Sequence, residues 1–241
     1  MSSPAFWGIA GSPISHSLTP MLFSIVGTSL GMDHVEEVFI EATSIAEFES
    51  QVSTLEGELW LSCTAPLKHS PQTRLGVTGP EGVNAINQLR RSGSNWSGTS
   101  TDGLGFASAC RHIGIDPSQS VLRMRGGGSA ARSIAAAWSS QGGSIILEVG
   151  RRELISGPWD GSIVSNRHSD LAIDLDAEPA GGASVEMDSE KQVSISYGSE
   201  VSSGDFAVVM VAAQHLEAWK LLFAPSRAEE IPSLHEVLSL L

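Results

Sequence analysis

Residues 121–150 constrain the fold most: a short apolar run, VLRMR, leads into GGGSAAR, which opens an Ala-rich stretch that is followed by a second apolar run, SIILEVG. A strand, a glycine turn, a helix and a second strand in this order make the first half of a dinucleotide-binding fold. Glycine lets the backbone approach a pyrophosphate, and the unpaired N–H groups at the start of the helix favour its negative charge. Glycines alone also suit a flexible turn, so the flanking strand and helix carry the inference. Gly126, Gly127, Gly128, Ser129 and Ala130 are the expected phosphate contacts.

The second strand ends in Gly150, Arg151 and Arg152, where such folds read the ribose 2′ position. A guanidinium fork matches a phosphate, so the arginines point to NADP. Glu148, just before them, keeps NAD open, as an acid near this point can bind a 2′-hydroxyl. Arginines in a solvated loop are the plain alternative.

The same alternation is found upstream. AFWGIAG reads as a buried strand, SLTPMLFSIVGTSLG as a helix starting near Thr19 and Pro20, VEEVFIEA as a strand, and TSIAEFESQVSTLEG as a helix with Ile45, Phe48, Val52 and Leu55 at helical spacing. ELWLSCTAP is a further strand, followed at once by Lys68. This predicts parallel strands joined by crossover helices, with a ligand crevice at their carboxyl ends. A helix is expected over 103–113. Two short strands are expected at LAIDLD and VSISYG, a strong apolar helix at FAVVMVAAQHLEAWKLLF, and a short last helix at SLHEVLSLL.

A formal charge of −13 argues against a nucleic-acid binder that tracks the phosphate backbone, because such a protein needs a basic face. The start, MSSPAFWGIAGSP, lacks a basic region followed by an apolar one, and no apolar run is read as reaching membrane-spanning length. A cytoplasmic protein with no membrane partner is therefore expected. Cys63 and Cys110, far apart and without a Cys/His cluster, suggest buried thiols, with no disulfide framework and no metal site.

Polar clusters stand at the expected strand ends: Ser15, His16, Ser17 and Thr19; Thr64 and Lys68; Asn87, Thr101 and Asp102. Hydroxyls, an amide, one lysine and one aspartate form a set suited to holding a polyol carboxylate and moving one proton. Taken singly, Ser17 and Thr19 also suit helix caps, Asn87 and Asp102 turns or caps, and Lys68 the surface.

Together these clusters resemble the shikimate dehydrogenase family. GSPISHSLTP is similar to its G-x-P-I-x-H-S-x-S-P start, CTAPLK to N-V-T-x-P-F-K, AINQ to A-V-N-T, and GTSTDGLGF to G-x-N-T-D-G-x-G-F. GGGSAARS resembles G-A-G-G-A-A-R-A, and GRR stands where the family has N-R-T. The resemblance implies an α/β chain of two domains. Residues 1–102, completed by C-terminal helices over 206–241, would form a substrate-binding domain with a mainly parallel sheet. Residues 103–205 would form a Rossmann-like NADP-binding domain.

It also implies reversible reduction of 3-dehydroshikimate to shikimate by NADPH, in a monomer or homodimer. Lys68 and Asp102 would be catalytic, with Lys68 giving the proton and Asp102 orienting both the substrate hydroxyl and the ammonium. Ser17 and Thr19 would hold the substrate carboxylate, Thr64 and Asn87 the ring hydroxyls. Departures from the pattern are Ser62, Ser100 and Ser129. A further one is Val211, which stands where a substrate-binding glutamine is expected, with Gln214 one turn away as its possible replacement. Residues 153–205 are short for the family. A quinate-type dehydrogenase using NAD, and a non-catalytic relative that only binds ligand, are the competing readings.

Overall fold

The alternating strands and helices read from the sequence form in the computed structural model, which describes residues 3–177, 184–196 and 202–241. In chain order the elements are β1 (Phe6–Gly11), α1 (Thr19–Ser29), β2 (Glu36–Glu41), α2 (Ile45–Val52), β3 (Leu59–Cys63), α3 (Pro71–Arg74), β4 (Gln88–Ser92) and β5 (Asn95–Thr99). They continue with α4 (Asp102–His112), β6 (Val121–Arg125), α5 (Ser129–Ser140), β7 (Ser144–Glu148), β8 (Leu171–Asp174), β9 (Lys191–Val193), α6 (Phe206–Ala218) and α7 (Leu234–Leu238).

The chain divides into two compact units, the first comprising 1–80, 84–101 and 215–240, the second 81–83, 102–214 and 241. The first unit holds a five-stranded sheet in the order β2-β1-β3-β4-β5. β1 pairs in parallel with β2 and β3, whereas β4 and β5 form an antiparallel hairpin on the other side of β3. The sheet is therefore mixed. QLRRS and NWSGT are too polar to read as strands alone, but a tight turn at Gly93 (φ 60°) folds them back on one another.

Strand alternation sorts the residues of β3 between two faces. Leu59, Leu61 and Cys63 enter a core with Ile40, Phe48, Val52 and Leu89. Trp60, on the opposite face, meets Trp219 and Phe223 at centroid distances of 5.2 Å, and Phe23 joins them from α1. Full burial of side chains this large supplies roughly 2 to 3 kcal/mol each.

The second unit has four parallel strands in the order β7-β6-β8-β9. The central β6 is followed by β7 on one side, and the chain then crosses to β8 on the other. That reversal is the topological switch point at which such sheets bind ligands. The strand expected at VSISYG lies earlier, at Lys191–Val193, and positions 197–198 of that stretch fall outside the described residues. The return to the first unit comes at His215, not at 206, for two physical reasons. Phe206 packs edge-on against Phe106 at 5.6 Å, and a Cβ on Gly105 would lie 2.5 Å from the Cβ of Gln214, so the start of α6 is fastened to α4.

One expectation is corrected. A π-helical turn, Trp219–Phe223, extends α6, so that Phe206–Phe223 forms 18 residues of helix with a mean hydropathy of 1.3, long and apolar enough by length and composition to cross a membrane. Within the fold 61% of that stretch is buried, as in the core helix of a globular protein.

Candidate active site

β1 and β3 run in parallel, so the segments that follow them emerge from the same edge of the first unit's sheet. Ser12 N–H donates to the Ala65 carbonyl at 2.9 Å and Thr64 N–H to that of Ala10 at 2.9 Å, which binds the two exits together. Gly11 lies at φ 140°, and a side chain there would come within 2.4 Å of Thr64 Cγ2. Glycine is what lets the first loop pass the second.

The hairpin brings its own polar residues to this edge. β4 starts opposite the end of β3, with Gln88 beside Ser62, and β5 ends opposite the start of β4, with Thr99 beside Gln88. Asn87 and Thr101, just outside the two strands, thus join Thr64 and Lys68. Cys63 N–H donates to the Asn87 carbonyl at 2.7 Å, and Ile86 N–H to the carbonyl of Lys68 at 2.8 Å. Lys68 sits in a one-turn 3₁₀ helix, Leu67–His69. Ser17 Oγ accepts from Thr19 N–H at 3.2 Å, but the N-cap of α1 is Leu18 and no side chain caps that end among the described residues, so Ser17 is not the helix cap.

Two of the expected substrate contacts are turned toward protein. Asn87, 1% exposed, accepts the Thr101 N–H at 2.7 Å and donates from Nδ2 to Thr101 Oγ1 at 3.2 Å, which fixes the residue before Asp102. Thr19, 4% exposed, has its hydroxyl 3.2 Å from His215 Nε2. His215 and Gln88 escaped the sequence reading. His215 Nε2 also lies 3.2 Å from Ser62 Oγ, whose hydroxyl donates to Gln88 Oε1 at 2.9 Å. The signal for His215 was a single histidine inside the apolar run FAVVMVAAQHLEAW.

In the second unit Asp102 is the first residue of α4 and is 3% exposed, and Gly103 N–H donates to Ser133 Oγ of α5 at 2.8 Å. Gln214 lies half-buried on α6 against Gly105, and Val211 faces the same partly buried side. The glycine turn follows β6 at the switch point. A Cβ on Gly127 would lie 2.0 Å from the Glu153 carbonyl oxygen, whereas one on Gly128 would meet nothing within 4 Å. The floor of the turn is therefore closed by chain while its mouth is open. Gly128 is the N-cap of the 12-residue α5, and no side chain caps that end among the described residues. Uncapped amides and a glycine cradle fit the diphosphate of a dinucleotide.

Around this turn the charges are largely committed. Arg132 donates to the Val83 carbonyl at 2.7 Å and to that of Gly127 at 3.1 Å. Arg125 donates to both oxygens of Asp174 at 3.0 and 3.2 Å. Asp176 accepts from the Arg151 backbone N–H, and Arg151 Nη2 donates to the Asp176 carbonyl at 3.1 Å. Glu148, the acid that kept NAD open, pairs with Arg123 on the neighbouring strand, so its carboxylate is engaged within the sheet.

The first conclusion is one of class: the chain is a two-unit α/β protein whose second unit has a Rossmann-type topology with a phosphate-suited turn. Comparison with known proteins narrows it further, and the resemblance read from the motifs is borne out: curated relatives and solved neighbours alike include shikimate dehydrogenases. The chain is 33% identical over 138 residues to a shikimate dehydrogenase (NADP(+)) of Syntrophomonas wolfei, covering 56% of this chain and 47% of that one. It is 30% identical over 165 residues to that of Trichormus variabilis, covering 66% and 57%. The matches thus span about half the length of these curated relatives.

Among solved structures, a shikimate 5-dehydrogenase from Thermus thermophilus in complex with NADP(H) and shikimate matches with a TM-score of 0.72 at 18% identity, over 97% of each chain. Shikimate dehydrogenase 1 from Peptoclostridium difficile matches at 0.73 and 16% identity, over 100% of this chain and 97% of that one. No family model matches the chain.

Proposed function

We propose that the chain catalyses the reversible, NADPH-dependent reduction of 3-dehydroshikimate to shikimate, in the pathway to chorismate and the aromatic amino acids. The observation that carries this reading is the gathering of Ser17, Thr64, Lys68, Asn87 and Thr101 at one edge of the first unit's sheet, with Asp102 next in the chain. The glycine turn of the second unit supports the cofactor part of it. In this reading the first unit takes the substrate and the second the nucleotide, in a cytoplasmic enzyme of one or two copies.

NADPH would supply the hydride. Lys68 donates a proton to the alkoxide developing on the substrate oxygen, and Asp102 orients the hydroxyl and the ammonium. Ser17 and Thr19 hold the substrate carboxylate, while Thr64 and Asn87 serve the ring hydroxyls. Asn87 contributes a second effect here, because its bond to the Thr101 amide fixes the backbone that leads into Asp102. Gln214 takes the part of the glutamine that Val211 lacks.

The test follows absorbance at the reduced-nicotinamide band with shikimate or quinate, each with NADP and with NAD, in the native protein and in Lys68→Ala. Turnover of shikimate with NADP that is lost in the variant, with substrate affinity less affected, is the expected result. Equal loss of turnover and affinity would make Lys68 a binding residue, and silence of the folded native protein with every pair would remove the dehydrogenase reading.

A further inference from the structure

A carboxylate held by Ser17 and Thr19 can only accept hydrogen bonds, so each hydroxyl serves it only when its single hydrogen is free to donate. In both residues the protein occupies the accepting side. Ser17 Oγ takes the Thr19 N–H at 3.2 Å, and Thr19 Oγ1 lies 3.2 Å from His215 Nε2. What Thr19 offers a ligand therefore depends on whether His215 Nε2 carries a proton.

The neighbours of the ring decide this, and all of them belong to the first unit. Gln88, fully buried, accepts the Ser62 hydroxyl at 2.9 Å, so Ser62 has no hydrogen left for the ring nitrogen 3.2 Å away and must accept from it. Nδ1 has no partner among the described residues. A proton on Nδ1 would face nothing, and would leave the ring and Ser62 lone pair to lone pair. Phe23 of α1 holds the ring in place, edge-on at 5.1 Å and 85°. It stands one helical turn after Thr19, so the same helix sets the ring and the hydroxyl. The Nε2–H thus points between the Ser62 and Thr19 oxygens, and Thr19 keeps its own hydrogen.

We propose that His215 is a positioning residue for the substrate carboxylate: by donating from Nε2 to Thr19 Oγ1 it makes the Thr19 hydroxyl a donor, as the Thr19 amide does for Ser17. This rests on the substrate reading given above and adds to it a residue that touches no substrate. Thr19 keeps its ligand role although it is turned toward protein, because the protein uses its lone pair and not its hydrogen. Two hydroxyls prepared in this way suit a group that brings oxygens without hydrogens, as a carboxylate does.

Long-range proton–nitrogen NMR of the native protein, with isotopically labelled histidine rings, reads the tautomer directly. The His215 signal, identified by its loss in His215→Gln, should show the proton on Nε2. A proton on Nδ1 would overturn the assignment whatever the kinetics. Turnover of shikimate at saturating NADP tests the consequence. His215→Leu, or His215→Asn should the first variant not fold, removes the donor and should raise KM about tenfold while keeping kcat within about twofold. In His215→Gln the amide nitrogen can stand where the ring Nε2 stood, and KM should stay within about threefold of native. Thr19→Val should raise KM as well, and adding His215→Leu to it should cost nothing more, since the histidine acts through that hydroxyl. An unchanged KM in His215→Leu, or a further rise on top of Thr19→Val, would reduce His215 to a packing residue. A folded native protein that neither binds nor turns over shikimate would instead remove the substrate reading, and this role with it, even with the proton on Nε2.

Discussion

His215 Nε2 lies 3.2 Å from Thr19 Oγ1, joining the part of α6 that belongs to the first unit to the start of α1 through a fully buried pair. The Ser62 hydroxyl donates to Gln88, so its oxygen is left to accept from His215, which assigns the ring proton to Nε2. Nδ1 then carries a lone pair with no partner among the described residues. A second proton there would create a buried, unpaired charge, and burial accordingly pushes the imidazole down to about 3.

The first prediction follows by linkage. The unfolded histidine takes up a proton near its ordinary value of 6.5, whereas the folded one refuses it until about 3. Stability is therefore full above the unfolded value and falls as pH drops below it, by about 2 kcal/mol between pH 7 and pH 5. Urea unfolding at several pH values should show this decline in the native protein and its absence in His215→Gln. Carboxylates with lowered values, such as Asp174 and Glu47, lose their contribution only at more acidic pH, so this window isolates the histidine. An identical slope in both proteins would remove the buried neutral imidazole from the account.

A second prediction concerns Asp174, whose side chain is 1% exposed. Burial alone would raise its value, but N–H groups of Val185 and Asp176 and the Arg125 guanidinium outweigh burial and hold it below the ordinary range. Asp174→Asn removes the counter-charge and leaves Arg125 mostly buried beside a neutral amide. A loss of about 3 kcal/mol in denaturant unfolding is expected, and a change below about 0.5 kcal/mol would mean that solvent already screens the pair.

Much of this fold was legible in the sequence, and the exceptions share a cause. The repeating strand and helix signals located β1, β2, β3, β6 and β7 because each carries large apolar residues between turn and helix signals. β4 and β5 were missed because QLRRS and NWSGT are too polar to stand out as strands. In the fold Arg90 pairs with Glu58, and Arg91 spends its guanidinium on the carbonyls of Val52 and Leu55. Motif spacing gathered Thr64, Lys68 and Asn87, but it could not show that Asn87 and Thr19 are turned toward protein partners, since those partners, Thr101 and His215, are set by topology. Nor could the sequence show that the Arg151 backbone N–H bonds the carboxylate of Asp176, 25 residues on.

A third prediction tests the packing of α4 on α5. A Cβ on Gly103 would lie 1.9 Å from the Ser133 carbonyl oxygen, a backbone atom that cannot swing aside. Gly103→Ala must therefore separate the helices and strain the Gly103 N–H bond to Ser133 Oγ. Overpacking of this kind costs about 1 to 3 kcal/mol. The loss should appear as a lower urea midpoint with an unchanged slope, and an unaltered midpoint would contradict the close crossing.

The last prediction concerns the thiols. Cys63 on β3 and Cys110 on α4 are both buried and free. Burial pushes each up to about 12, against a small opposing pull from Lys68 on Cys63 and from Arg111 and Lys191 on Cys110. The thiolate is the reactive species, so at pH 8 only about one molecule in ten thousand carries it at either position. Ellman's reagent should find no fast-reacting thiol in the native protein and two after denaturation. Native labelling at one position would instead show that its unit opens locally: opening of the first unit would expose Cys63, which adjoins Thr64 at the substrate edge, and opening of the second would expose Cys110 on the helix that begins with Asp102. Peptide mapping of the labelled protein identifies which of the two it is, and added shikimate or NADP should slow labelling only in the unit that binds it.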